Sequence, residues 1–148
     1  VRFLPVKVVN SPELIAQSRD MVTINGALSV DLAGQVVADT INGTQFSGIG
    51  GHEDFVSGPG LSAEGRSLIC VPSSTIVNGQ VVSRVVPKLP SGSVVSTPRH
   101  QVDVIVTEYG AAELQGRTIR ERALALAAIG HPDVRDDLLA VATTWPQD

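Results

Sequence analysis

Between Met21 and Ala33 the large apolar side chains all fall on even positions: Val22, Ile24, Leu28, Val30 and Leu32, with Gly26 filling the gap. A period of two is what a strand with one covered face requires; a helix needs 3.6. The run predicts a single strand with one apolar face. Ala33-Gly34-Gln35 reads as a turn and Val36-Val37-Ala38 as the paired strand that returns from it. Nearer the end of the chain the period changes. Thr118-Ile119-Arg120-Glu121 matches a capping box, and the helix it opens places Ile119, Ala123, Leu126 and Ala127 on one face. His131-Pro132 starts a last helix with Val134, Leu138, Val141 and Ala142 inward. Strands first and helices last predict a mixed α/β domain, a sheet covered by helices.

The intervening segments supply further expectations. Phe3 to Val9 is strand-like, and Asn10-Ser11-Pro12-Glu13 reads as the start of a short helix ending near Ser18-Arg19-Asp20. Asn42-Gly43 marks a tight turn, and Val77-Asn78-Gly79-Gln80 a hairpin. Ser67 to Val71 is a buried strand, with further strands at Ser93 to Ser96 and Val102 to Val106. The stretch from Gly58 to Gly65 is expected to be irregular and exposed, and Ala111 to Leu114 helical.

With 148 residues, 43% hydrophobic and 18% charged, the chain has the composition of one globular domain. Its net charge of −4, without a basic cluster, argues against a nucleic-acid surface. No apolar run approaches the ~20 residues of a membrane-spanning helix, so no membrane partner is expected. Cys70 is the one cysteine, so no internal disulfide forms; it reads as a core filler and suits the cytoplasm. The chain opens at Val1, without a methionine and directly in strand-like sequence, which is expected of a piece of a longer protein.

The chemistry-bearing stretch is Phe46-Ser47-Gly48-Ile49-Gly50-Gly51-His52-Glu53-Asp54-Phe55. Glycines permit φ > 0 and let another molecule approach the backbone, and successive N–H groups can converge on a carboxylate, a phosphate or an oxyanion. A plain strand-to-helix turn explains the same residues. The loop lacks the Lys-Ser/Thr of a P-loop and the spacing of a dinucleotide fold, so ATP and NAD fall away. His52, His100 and His131 have no metal-ligand spacing, and no G-x-S-x-G elbow exists. Glu53 and Asp54 suit the acidic first turn of a helix. Glu108 ends an apolar strand, where it is a candidate functional carboxylate or the acceptor of a hydrogen bond from Arg99, Arg117 or a loop N–H.

Five segments in fixed order narrow the reading: Asn25 to Val36, Ser47 to Gly51 with Asp54-Phe55, Ser83-Arg84-Val85-Val86-Pro87, Val106-Thr107-Glu108-Tyr109-Gly110, and His131-Pro132-Asp133. Together they resemble the C-terminal domain of the acetyl-CoA hydrolase/transferase family, which includes 4-hydroxybutyrate and succinyl-CoA:acetate CoA-transferases. The resemblance implies a three-layer α/β/α CoA-transferase-like domain (the NagB/RpiA type) with a mixed sheet. It implies transfer of CoA from an acyl-CoA to a small carboxylate through a glutamyl-CoA thioester, no tightly bound cofactor and a homodimer. The glutamate lies upstream of the segment matching Val1, in an N-terminal half absent from this chain, and Glu108 matches a different motif. By the same resemblance Gly48 presents its N–H to the thioester oxygen, Asn10 lies beside the nucleophile, and Ile49, Gly50 and Gly51 wall the pantetheine arm of CoA. Gly26, Ser29 and the pair His52-Glu53 depart from the residues common in relatives, which bears on substrate choice. An acyl-CoA hydrolase and a non-catalytic ligand-binding or interaction domain are the alternatives.

Overall fold

The computed structural model describes residues 1–145. In chain order the elements are α1 (Val6–Val9), α2 (Pro12–Ile15), β1 (Val22–Gly26), β2 (Ser29–Asp31), β3 (Val36–Val37), β4 (Thr40–Ile41), β5 (Thr44–Gln45), α3 (His52–Gly60) and β6 (Arg66–Cys70). They continue with β7 (Ser74–Val77), β8 (Gln80–Ser83), β9 (Val85–Val86), β10 (Val104–Thr107), β11 (Gly110–Glu113), α4 (Ile119–Ala128) and α5 (Pro132–Thr143). The main sheet has the order β1-β6-β10-β11. Its first three strands are parallel, with Asn25 opposite Ile69 and Ile69 opposite Ile105, and β11 returns antiparallel to β10. The mixed α/β class with a mixed sheet is therefore present. A small sheet β3-β2-β9 and the hairpins β4-β5 and β7-β8 complete the strands.

One face of the main sheet carries the core. Ile69 and Ile105 are fully buried there, with Leu126, Ala127, Leu138 and the small-sheet residues Val30, Leu32 and Val85. Helix α3 is tied to that face by Thr23, whose hydroxyl donates to Phe55 O, and the end of α4 by Thr107, whose hydroxyl donates to Ile129 O. Of the side chains on the opposite face only Val104 is buried; Val22 and Ile24 are 56% and 70% exposed.

The long alternating run is therefore not one strand. At Ala27 the chain still bonds Cys70 O, but Leu28 already bonds Val37 O, so it leaves one sheet and joins another. Val22 and Ile24 face outward while Val30 and Leu32 are sealed. Other expectations are corrected too. Phe3 to Val9 has no neighbouring strand; Pro5 fixes a turn, and Val8 and Val9 N–H bond back to Pro5 O, giving the one-turn α1. Ala111 to Leu114 extends into β11 because Gly110, at φ 146°, turns the chain back along β10, and ladder pairing outweighs alanine's helix propensity. Ser93 to Ser96 forms no strand, only a bridge between Val36 and Thr97.

Gly58 and Pro59 are buried at the end of α3 rather than exposed. Pro12 stands at the first position of α2, whose cap Ser11 donates to Glu13 rather than accepting from the backbone. The Gly34, Asn42-Gly43 and Asn78-Gly79 turns form as expected, each with positive φ. The Thr118–Glu121 capping box is complete.

Candidate functional site

The glycine loop leads into α3 and lies across a cleft from Asn25 and Gly26, the last residues of β1. Residues Phe46 and Ser47 are held from behind, both N–H groups donating to Asp39 O. Beyond them the backbone N–H groups of Gly48, Ile49, Gly50 and Gly51 bond no described residue. Four consecutive unpaired donors at the start of a nine-residue helix make an electropositive lip.

This lip borders a cleft of 390 Å³ shared by Gly48, Ile49, Gly51 and Asn10, among others. Asn10 is close: a methyl built on Gly51 would lie 2.6 Å from Asn10 Nδ2 and 3.3 Å from the Phe55 ring. Gly50 does not border the cleft; its φ of 60° supplies the turn. A methyl on Gly48 would meet nothing within 4 Å, so alanine fits there without disturbing the fold. The structure thus brings together four of the five residues singled out for the site.

Three side chains not assigned a site role from the sequence join them: Asn25, Asp39 and His52. Asn25 and Thr23 are the polar partners of an alternating strand and read as its wet face, whereas they point toward α3. Thr23 is satisfied there; Asn25 Nδ2 is buried with no partner among the described residues. Asp39 accepts from Ser96 and Gln45, and those hydrogen bonds, Ser96's first, hold its carboxyl below the usual range.

His52, the first residue of α3, is 7% exposed, and its Nε2 lies 2.8 Å from Thr97 Oγ1. The Thr97 hydroxyl donates its one proton to Glu53 Oε1, so Nε2 must carry the hydrogen of the His52–Thr97 bond. In the neutral ring Nδ1 is therefore the bare nitrogen. Burial pushes its pKa down, against the opposing pull of Glu53 and Asp39.

Glu108 is not part of this cleft. Its carboxylate accepts from Ser73 N at 3.0 Å and Ser73 Oγ at 2.6 Å, the loop-anchoring role. His131 caps α5, its Nδ1 accepting from Asp133 N. Cys70 is half-buried on the open face of the sheet rather than a core filler. No group of three metal-binding side chains occurs among the described residues. Among them, too, no helix is long and apolar enough to cross a membrane.

Comparison with known proteins gives the family. The 4-hydroxybutyrate coenzyme A transferase of Clostridium kluyveri is 46% identical over 139 residues, covering 94% of this chain and 32% of its own length. A probable butyrate:acetyl-CoA coenzyme A-transferase of Syntrophomonas wolfei is 44% identical over 93% of this chain and 31% of its own length. An acetyl-CoA hydrolase of Yarrowia lipolytica is more distant, at 31% identity. Among solved structures, RipA from Yersinia pestis superposes with a TM-score of 0.82 at 43% identity, over 94% of this chain and 31% of RipA. The chain spans about a third of the length of the relatives it matches. The family described as the acetyl-CoA hydrolase/transferase C-terminal domain matches residues 1–142, and the chain belongs to that family.

Proposed function

We propose that this chain is the C-terminal part of an acyl-CoA:carboxylate CoA-transferase of the 4-hydroxybutyrate or acetate/succinate type, working in the cytoplasm as a homodimer. Its substrates are an acyl-CoA and a small carboxylate, with no tightly bound cofactor. The nucleophilic glutamate comes from the N-terminal half of the same polypeptide, docked across the cleft. Gly48 N–H receives the carbonyl oxygen of the thioester as charge develops on it, a contribution of about 3–4 kcal/mol for a preorganised donor. Ile49 and Gly51 wall the pantetheine arm, Gly50 makes the turn between them, and Asn10 orients the attacking carboxylate.

The observation that carries this reading is the run of unpaired N–H groups from Gly48 to Gly51, of which the residues Gly48, Ile49 and Gly51 border one cleft with Asn10. Five relatives at 42–46% identity are named as CoA-transferases, one of them as probable, and the names containing hydrolase occur at lower identity. The test is CoA exchange between acetyl-CoA and butyrate. The full-length protein is expected to form butyryl-CoA, and the 148-residue chain alone to form none. Exchange by the short chain, or thiol release by the full-length protein that ignores butyrate, contradicts the proposal.

A further inference from the structure

A second cavity, of 310 Å³, lies on the outer face of the small sheet and is lined by none of the glycine-loop residues. Val30, Val36 and Val85 are fully buried in the core and stand side by side in β2, β3 and β9. Side chains alternate along a strand, so Ser29, Val37, Arg84 and Val86 point the other way, and all four line the cavity. Arg84 immediately precedes β9, and its carbonyl accepts from Val30 N, which sets it beside Ser29. The β4–β5 turn and the loop after Pro90 form the far wall. These two touch, since a methyl on Gly43 would lie 2.8 Å from Gly92 O.

Polar groups in these walls are unspent. Among the described residues four sealed side-chain N or O atoms lack a partner, and two of them, Arg84 Nε and Thr40 Oγ1, belong to residues lining this cavity. Arg84 takes part in none of the ion pairs among the described residues, and no Asp or Glu lines the cavity. A half-buried guanidinium without a counter-charge calls for an anion, and its planar fork matches the two oxygens of a carboxylate. Leu28, Val37, Ile41 and Val86 surround it with apolar surface, which suits a hydrocarbon tail rather than the spread charge of a phosphate. We propose that this cavity binds a short-chain carboxylate, its two oxygens on Arg84 and its tail against Leu28, Ile41 and Val86. The site is separate from the glycine-loop cleft. Val37 and Thr40 line the cavity while Ala38 and Asp39 line the cleft, so one segment of chain walls both. It stands whichever reaction the cleft performs.

The experiment is a fluorine NMR titration of 4,4,4-trifluorobutyrate with the full-length protein, without acyl-CoA and with thermal unfolding read alongside. The wild type is expected to shift and broaden the trifluoromethyl signal saturably. Arg84→Met keeps the stem without the charge, and is expected to weaken binding about tenfold or more, the worth of one charged hydrogen bond. Ser29→Glu sets a carboxylate beside Arg84, and is expected to abolish binding while the unfolding midpoint holds. That second variant decides the matter even where Arg84→Met fails to fold. Butyrate is expected to displace the probe and inorganic phosphate to leave it bound. Absence of a saturable response in the wild type overturns the proposal, as does unchanged affinity in Ser29→Glu. Displacement by phosphate at lower concentration than by butyrate overturns the carboxylate class. A response that survives both variants and disappears in Gly48→Pro puts the ligand in the glycine-loop cleft, and overturns the site.

Discussion

At the scale of single residues, what decides function is which polar groups the fold leaves unspent. Asp39 O holds Phe46 and Ser47, and the next four N–H groups are left over. Glu108 shows the opposite case. Its carboxylate is fully engaged by the Ser73 hydroxyl and then the Ser73 N–H, which hold its pKa below the ordinary value. A depressed carboxylate contributes stability that is complete above its unfolded pKa, about 4.3, and is lost as pH falls through the lower folded value. Ser73→Ala is expected to raise the Glu108 pKa in a carboxyl NMR titration and to shift the acid loss of stability to higher pH. The sign for His52 is similar but arises from a base. Its folded pKa lies below about 6.5, so the unfolded chain binds the extra proton and stability declines as pH drops below that point. His52→Gln should flatten that part of a pH–stability curve, and an unchanged slope would show that burial does not govern the ring.

At the scale of elements, short helices are held by packing rather than by their own length. The one-turn α2 lies against α3 because Gly58 leaves room for Ile15: an added methyl would come within 2.6 Å of Ile15 Cγ2 and 2.8 Å of its Cβ. Gly58→Ala should therefore cost about 1–3 kcal/mol, read as a lower midpoint in urea; an unchanged midpoint would mean that α2 moves freely aside. The same scale explains which elements were legible in the sequence. Turns with Asn-Gly, the capping box and the Pro12 and Pro132 helix starts are local chemistry, and they stand where the residues put them. The run from Val22 to Leu32 fails because its alternation is unbroken across Ala27, while its hydrogen-bond partners change there from Cys70 to Val37. Periodicity reports the pleat and not the neighbour. Ala111 to Glu113 fails for a related reason, since only β10 makes it a strand. Gly48, Ile49 and Gly51 were singled out through an ordered set of motifs and Asn10 through the family resemblance those motifs carry, and the fold brings the four to one cleft. Asn25 was missed because a polar residue at an odd position looks like the wet face of a strand.

At the scale of the whole molecule, the main sheet is covered on one face by α3, α4 and the small sheet and is open on the other. Val22 and Ile24 on that open face are exposed large apolar side chains, as are Phe3, Val6 and Leu14 around α1 and α2. The proposed N-terminal half supplies the cover that a three-layer arrangement requires. Ile24→Asp separates the two cases. In the 148-residue chain it should change the unfolding free energy by no more than about 0.5 kcal/mol, as at any exposed site. In the full-length protein it should destabilise by several times that amount, and equal effects in both would contradict the covering of this face.

The most direct test of the account is Gly48→Pro in the full-length protein, assayed for CoA exchange alongside thermal unfolding. Gly48 has no positive φ and an added Cβ meets nothing; the proline ring removes the N–H, and the unfolding midpoint reads whether the ring strains the loop. Exchange should fall about 10²–10³-fold with the unfolding midpoint nearly unchanged. Exchange within threefold of the wild type would show that the thioester oxygen does not sit on this amide.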